Sequence, residues 1–386
     1  MVNYDVVVIG AGASGMFAAA SAINNGRTVA ILEMGQSTAR KIAVSGGGNC
    51  NITNENANYL RYFGNNPEFV RSALSQFSPR DLIDWAQKHN IKLYEKTSGR
   101  YFCVDGAKVV VDALMHDIKT ADVFYNTVVE DVDKNGDTFF IKTNNQTFIA
   151  NSLIVASGGI SFPTLGVSDI GYKIAKKFGH SIVPVRPALC TIKINNNPYS
   201  DFSGISIPAE IQIGKNKVYD DLLFTHMGIG GPATYRATLY DLDNGITINL
   251  LPNTDLMSIL ANIKRSNGRK QISTVLSEYL PSRIAKFIAQ NDTRNIADIK
   301  NTDLEQFVTN VSNIYIPGDK IKLHSMASAE VVRGGVSTDN ISSKTMESKL
   351  CSGLYFSGEV LDITGDLGGY NLQWGWASGF VAGNNA

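Results

Sequence analysis

The chain has 386 residues, with 35 Lys and Arg balanced by 35 Asp and Glu and 44% apolar residues. That length implies two or three domains, and the neutral charge gives no net attraction to nucleic acid or anionic membrane. Four widely separated cysteines (Cys50, Cys103, Cys190, Cys351), with no CxxC pair and no Cys/His cluster, argue against a disulfide scaffold or a structural zinc; no metal is expected and a reduced, cytoplasmic location is.

"YDVVVI" at 4 to 9 is a continuous apolar run closed by glycine, as in a parallel strand buried on both faces, and it lacks the basic flank of a signal peptide. The small-residue helix "ASGMFAAASAINNG" and the strand "RTVAILE" complete a βαβ unit within the first 33 residues. Helices are predicted at "PEFVRSALSQF", "PRDLIDWAQKH" and "AKVVVDALMHDI". Five strands follow ("DVFYN", "TVVEDV", "DTFFIKT", "QTFIA", "SLIVAS"), with Asn135-Gly136 as a hairpin turn.

After "RPAL" at 186 to 189 the pattern becomes irregular β, then helical from 254 to 310, and dinucleotide-type signals resume near 330. The expected fold class is therefore α/β, Rossmann-like, with a discontinuous first domain at 1–186 and 329–386. A β-rich insert is expected at 187–252 and 311–328, and a helical subdomain at 253–310.

Gly10, Gly12 and Gly15 form GxGxxG between a strand and a helix. The first permits the turn, the second lets a pyrophosphate approach, and the third packs helix on strand, while Ala13 and Ser14 present helix N-terminal amides. Glu33, ending the second strand, is placed to bind a ribose diol. A dinucleotide is expected here, and the motif alone does not separate FAD from NAD.

Near the other end, "GLYFSGEVLD" is a strand ending at Gly358 and Glu359, and a helix begins after Gly368 and Gly369 with free amides for an electron-rich ring. Together with "SGGGNCNITN", "IVASGGISFPTLG" and "LLFTHMGIGGP", this block resembles the BaiN/RdsA (YhiN-like) family of FAD-dependent oxidoreductases over nearly the whole chain.

The resemblance implies FAD in the split domain and a β-barrel-like plus helical insertion. It places Met34, Arg40, Lys41, Ser45, Gly46, Gly47, Gly48 and Asn51 along the path from ribose to flavin, and Val129 near the adenine. Ala156, Ser157 and Gly158 would touch the cofactor; Glu359 would meet its ribityl or pyrophosphate region; Gly368, Gly369, Tyr370, Asn371 and Leu372 would line the ring. It further implies NAD(P)H as transient donor, hydride delivery from flavin N5 to a conjugated C=C, and an acid to protonate the adjacent carbon. The substrate is then a uridine in 23S rRNA, giving dihydrouridine, or a steroid-like enone; a non-catalytic FAD-bound RNA-binding factor is a third reading.

Cys50 is either the proton donor or a small buried thiol, and His226 either a proton donor, a substrate ligand or a structural histidine. Gly228, Gly230 and Ala233 spell GxGxxA, but Pro232 and a short following helix argue against a second dinucleotide site and for a loop facing the flavin. Lys264, Arg265, Arg269, Lys270, Arg283 and Lys286 face one acid, Glu278, and form either a solvated helix surface or an RNA-facing patch. Two departures from the family pattern stand out: Asn49 occupies a position commonly Arg or Lys, leaving Arg40, Lys41 or Arg333 to supply a cation, and Cys103 replaces a proline after "GRYF", with Arg100 a candidate contact. No stable membrane association is expected, and the oligomeric state is open.

Overall fold

A computed structural model describes residues 2–290 and 292–386. The chain divides into two compact units, residues 1–186 with 330–386, and residues 187–329.

In the first unit, strand β1 (Val2–Ile9) leads through helix α1 (Ala13–Asn24) to strand β2 (Val29–Leu32). β1 pairs in parallel with β2 on one side and with Thr147–Val155 on the other, and Asp122–Phe124 extends the sheet beyond β2. Val6, Val7 and Val8 are completely buried, which is why the sequence shows an unbroken apolar run rather than alternation.

The meander Val129–Asn135, Thr138–Thr143, Thr147–Val155 is antiparallel, with Gly136 in the first turn at positive φ. The two strands expected at "QTFIA" and "SLIVAS" are one, Thr147–Val155. Its first half pairs antiparallel with Thr138–Thr143, and its second half pairs in parallel with Leu354–Phe356. The change of partner moves the strand from a half-exposed to a fully buried environment, so its side-chain periodicity changes at Asn151 and reads as a break.

The terminal helix, Tyr370–Asn385, crosses α1 at backbone contact. Cβ atoms placed at Gly379 and Gly383 would lie 2.3 Å from the Ser14 carbonyl oxygen and 2.0 Å from that of Ala18. The same helix is bolted to its surroundings by polar atoms: Trp376 Nε1 donates to Ile52 O (2.9 Å), Trp374 Nε1 to Gly358 O (3.1 Å) and Gln373 Nε2 to Phe77 O (3.1 Å). Satisfying these buried donors leaves little freedom in how the helix sits.

His180 is buried with Nε2 at 2.8 Å from Ser348 Oγ, while Nδ1 has no partner. Ser348 Oγ already accepts the N–H groups of Leu350 and Cys351, so its own proton goes to Nε2 and the imidazole is the neutral Nδ1–H tautomer. Burial lowers the pKa below the ordinary histidine value. The unfolded chain therefore binds this proton more readily than the native one. The stability is fully present above the unfolded value near 6.5 and is lost as pH falls through the depressed native value. Thermal melts between pH 7 and pH 5 should show Tm falling, and His180→Leu should flatten part of that slope; an unaltered slope would remove His180 as its source.

The second unit holds a seven-stranded antiparallel sheet in the order Ile314–Ile316, Ile246–Asn249, Ser206–Ile213, Asn216–Thr225, Gly228–Gly230, Ile192–Ile194, Ile321–Leu323. The GxGxxA glycines are not in a loop as expected: Gly228–Gly230 is a strand between two antiparallel neighbours, followed by the seven-residue helix Gly231–Ala237. Helices Leu256–Ser266, Ile272–Leu276, Ser282–Ile288 and Asn301–Ser312 complete the unit. Among the described residues, no helix is long and apolar enough to cross a membrane.

Candidate functional site

The three glycines of the first motif divide their tasks sterically. A Cβ on Gly10 would lie 2.6 Å from the Ala156 carbonyl oxygen, and one on Gly15 would lie 1.9 Å from the Gly10 oxygen; at Gly12 nothing stands within 4 Å. Gly10 and Gly15 are thus required by packing, whereas Gly12 faces open space. Gly12 caps α1 without a side-chain hydrogen bond, and no acidic residue lies in the first turn, so the Ala13 and Ser14 amides are free of intrahelical partners.

The Ser157 backbone adjoins this turn, a Cβ on Gly10 falling 3.2 Å from its Cα. Gly158 has nothing within 4 Å of its Cβ position, nor do Gly47 and Gly48. Ser157 Oγ is a buried hydroxyl with no partner. Gly358 sits against Ser14, its Cβ position 2.8 Å from the serine Cβ, and the Gly358 N–H donates to Ser378 Oγ at 2.9 Å. Uncapped amides at the start of α1 beside the side-chain-free backbone of Gly12 fit a phosphate-bearing group.

Glu33 is almost buried, and its carboxylate is already engaged. It accepts from Ala11 N–H (3.0 Å) and Gly35 N–H (2.7 Å), and Arg40 Nη2 lies 2.7 Å away. The Arg40 guanidinium lies against Gly35 and Gly166; a Cβ on either would come within 2.7 Å of its atoms. Met34 is half-buried beside this pair. Ala39, at φ 58 and bonded through its N–H to Ala11 O (2.8 Å), turns the chain into the short helix α2 (Arg40–Val44). Segment 126–127 runs alongside, its N–H groups donating to Gly35 O and Glu33 O (both 3.0 Å), and Val129 follows in the ladder opposite Thr143.

Lys41 Nζ reaches Glu359 Oε2 and Ser161 Oγ, each at 2.9 Å, and the other Glu359 oxygen accepts from Val332 N–H (3.0 Å). Glu359, expected to face the cofactor, is thus held by a lysine 318 positions away, and neither Arg40 nor Lys41 is a loose cation. Ser161 and Val332 escaped the sequence reading: a lone serine and a backbone N–H carry no motif.

After α2, Ser45–Gly48 forms a tight turn into strand β3 (Asn51–Asn54). The amide of Asn51, oriented as its neighbours favour, donates to the Tyr101 and Thr53 carbonyls (3.2 and 3.3 Å) and accepts from Gly369 N–H (3.1 Å). Both its amide protons are used within the protein, so it orients the start of the terminal helix rather than offering donors outward. Asn371 likewise closes the preceding loop, accepting from Gly365 N–H (2.8 Å) and donating to Gly365 O (3.0 Å). Gly369 caps the terminal helix at φ 95 without a side-chain bond, leaving the amides of Asn371 and Leu372 without intrahelical acceptors. Beside Gly368, the Arg100 side chain folds back onto Thr97, its Nε donating to the carbonyl (3.0 Å) and Nη2 to Oγ1 (3.1 Å).

Cys50 is fully buried at φ 47, a conformation non-glycine residues seldom take. His226 is an exposed turn residue of the second unit. In that unit Lys264 caps the Ile299 carbonyl, Lys270 pairs with Glu278 (2.6 Å) and Arg283 donates to Asp201 O (2.8 Å), so half of the basic run is engaged within the fold.

A mixed sheet whose parallel strands carry GxGxxG after β1, leading into an uncapped helix terminus, defines a Rossmann-type dinucleotide-binding fold. The chain belongs to the family described as HI0933-like protein Rossmann domain, which matches residues 4–385. It is 35% identical to the ribosomal RNA dihydrouridine synthase of Escherichia coli (strain K12), over 99% of this chain and 97% of that protein. The Haemophilus influenzae protein of the same name is 37% identical, over 97% and 96%. The 3-dehydro-bile acid delta(4,6)-reductase of Clostridium scindens is 29% identical, over 98% of each. The resemblance drawn from the motifs is borne out, and the chain is an oxidoreductase of this family.

Proposed function

We propose that the protein binds FAD along the strip from Glu33 to Gly369 and uses NAD(P)H to reduce a conjugated C=C, with a uridine of 23S rRNA as substrate and dihydrouridine as product. The observation that carries the flavin reading is the uncapped start of α1 behind the side-chain-free backbone of Gly12, with the bare backbone of Gly158 following the Ala156–Ser157 segment that packs on Gly10. Ala13 and Ser14 hold the pyrophosphate through their amides, Glu33 meets the ribose with lone pairs left over from its three internal bonds, and the first-turn amides of Asn371 and Leu372 serve the ring. Bound there, FAD supplies hydride at N5. The chain orients the acceptor, excludes water and provides the proton; Cys50 and His226 are the candidates for that last role.

The choice of rRNA rests on full-length similarity to two proteins named for that reaction. The bile-acid reductase relative supports a second reading, a small-molecule enone as acceptor. Both are reductions of a C=C conjugated to a carbonyl, so one geometry serves either. Mass-spectrometric nucleoside analysis of rRNA from a deletion strain separates them. Dihydrouridine should disappear from 23S rRNA; unchanged dihydrouridine, with rapid reoxidation of the reduced protein by a free enone, would overturn the rRNA reading.

A further inference from the structure

Cys50 immediately precedes β3 at φ 47, and Cys103 ends the antiparallel strand that pairs with β3. Asn51 faces Phe102 in the ladder between β3 and Arg100–Cys103, and Cys103 N–H donates to Asn49 O (3.0 Å), so the two cysteines are the next cross-strand neighbours. A disulfide spans Cα atoms about 4.4–6.8 Å apart, the separation of near neighbours across antiparallel strands. Both are free thiols and both are completely buried.

The two thiols are not equivalent. The hydrogen bond from Cys103, aided by one from Ser45, holds the Cys50 thiol below its ordinary pKa against the opposing effect of burial. That same bond, burial and the Coulombic repulsion of Cys50 and Asp105 push Cys103 strongly up. Cys50 is therefore the thiolate-forming partner and Cys103 the one that keeps its proton. Cys50 N–H donates to Ser45 O (3.0 Å), closing the Ser45–Gly48 turn, in which Gly46 and Gly47 are exposed, with Asn49 exposed beside it.

We propose that Cys50 and Cys103 are a redox-active dithiol–disulfide couple, oxidised by hydroperoxides and restored by dithiols. The Cys50 thiolate attacks a peroxide oxygen, the O–O bond breaks, and the departing hydroxide takes a proton to become water, leaving Cys50 as sulfenic acid. Cys103 then gives up its proton and attacks the Cys50 sulfur; the S–O bond breaks, a second water leaves, and two electrons have passed from the thiol pair to the peroxide. A dithiol returns both electrons by exchange. The disulfide removes the Cys50 proton from the neighbourhood of Asn51, and with it any protonation Cys50 performs.

The test uses the purified holoprotein exposed to hydrogen peroxide, alkylated, and mapped by peptide mass spectrometry without reduction. The expected result is a peptide cross-linked between Cys50 and Cys103, lighter by two hydrogens and reversed by dithiothreitol. In Cys103→Ser, dimedone should trap Cys50 as the sulfenic acid instead. Should the native protein yield sulfinic acid at Cys50, a cross-link to Cys190 or Cys351, or no thiol loss while the denatured chain is readily oxidised, the couple is refuted. The wild-type map decides even where Cys103→Ser fails to fold.

Discussion

Gly379→Ala is expected to destabilise the first unit by about 1–3 kcal/mol, the usual cost of overpacking, and to lower Tm by roughly 2–4 °C for each kcal/mol. In an exposed helix the same change stabilises by about 1 kcal/mol. The sign inverts here because the new Cβ would lie 2.3 Å from the Ser14 carbonyl oxygen and 3.0 Å from its carbon, both backbone atoms that no rotamer change can move. The terminal helix must back away from α1. That displacement shifts the Ala13 and Ser14 amides, so flavin content should fall together with Tm. Gly12→Ala provides the contrast. Its φ of −85° suits alanine and nothing stands within 4 Å of the Cβ position, so Tm of the cofactor-free protein should stay unchanged while flavin retention drops. A Gly379→Ala protein that melts at or above the wild-type temperature would refute the close crossing.

Glu33→Ala should cost about 2–3 kcal/mol of stability through the partners it leaves unsatisfied and should strip flavin from the purified protein. Three donors lose their acceptor at once: the N–H groups of Ala11 and Gly35, and Arg40, whose guanidinium stays wedged against Gly35 and Gly166. The uncompensated arginine is the larger part of the loss. Removing it as well, in Glu33→Ala/Arg40→Ala, should therefore cost less than the sum of the two single changes. Denaturant melts of the four proteins measure this coupling, and strict additivity would show that the pair acts independently despite its 2.7 Å separation.

These two experiments probe features of different legibility. The division of labour among Gly10, Gly12 and Gly15 could be read from spacing alone, because a strand, a turn and a helix in succession leave few ways to place three glycines. The apolar run of β1 likewise announced a strand buried on both faces. The strand Thr147–Val155 was misread as two because its pairing partner changes at its middle, and a periodicity argument sees a change of environment as an end. Asn51 was expected to offer its amide to a flavin, and the fold spends that amide on Tyr101, Thr53 and Gly369. Glu359 was expected against the cofactor, and the fold adds partners no motif announced, Lys41 and the Val332 N–H.

By itself the sequence determined the local matters: where most strands and helices lie, which turns demand glycine, and that a GxGxxG turn opens the first helix. Each of these depends on residues a few positions apart, whose geometry is set by backbone sterics and side-chain period. Only the tertiary structure decided the pairings across hundreds of positions: Lys41 with Glu359, Ser14 with Ser357 at 2.6 Å, Asn51 with Gly369, and Cys50 with Cys103. A side chain's partner is chosen by which strands and helices pack together, and burial then raises the cost of leaving a charge or hydroxyl unpaired. The stretch "SGGGNC" accordingly signalled bare backbone, while the thiol facing Cys50 emerged only when β3 took its place beside Arg100–Cys103.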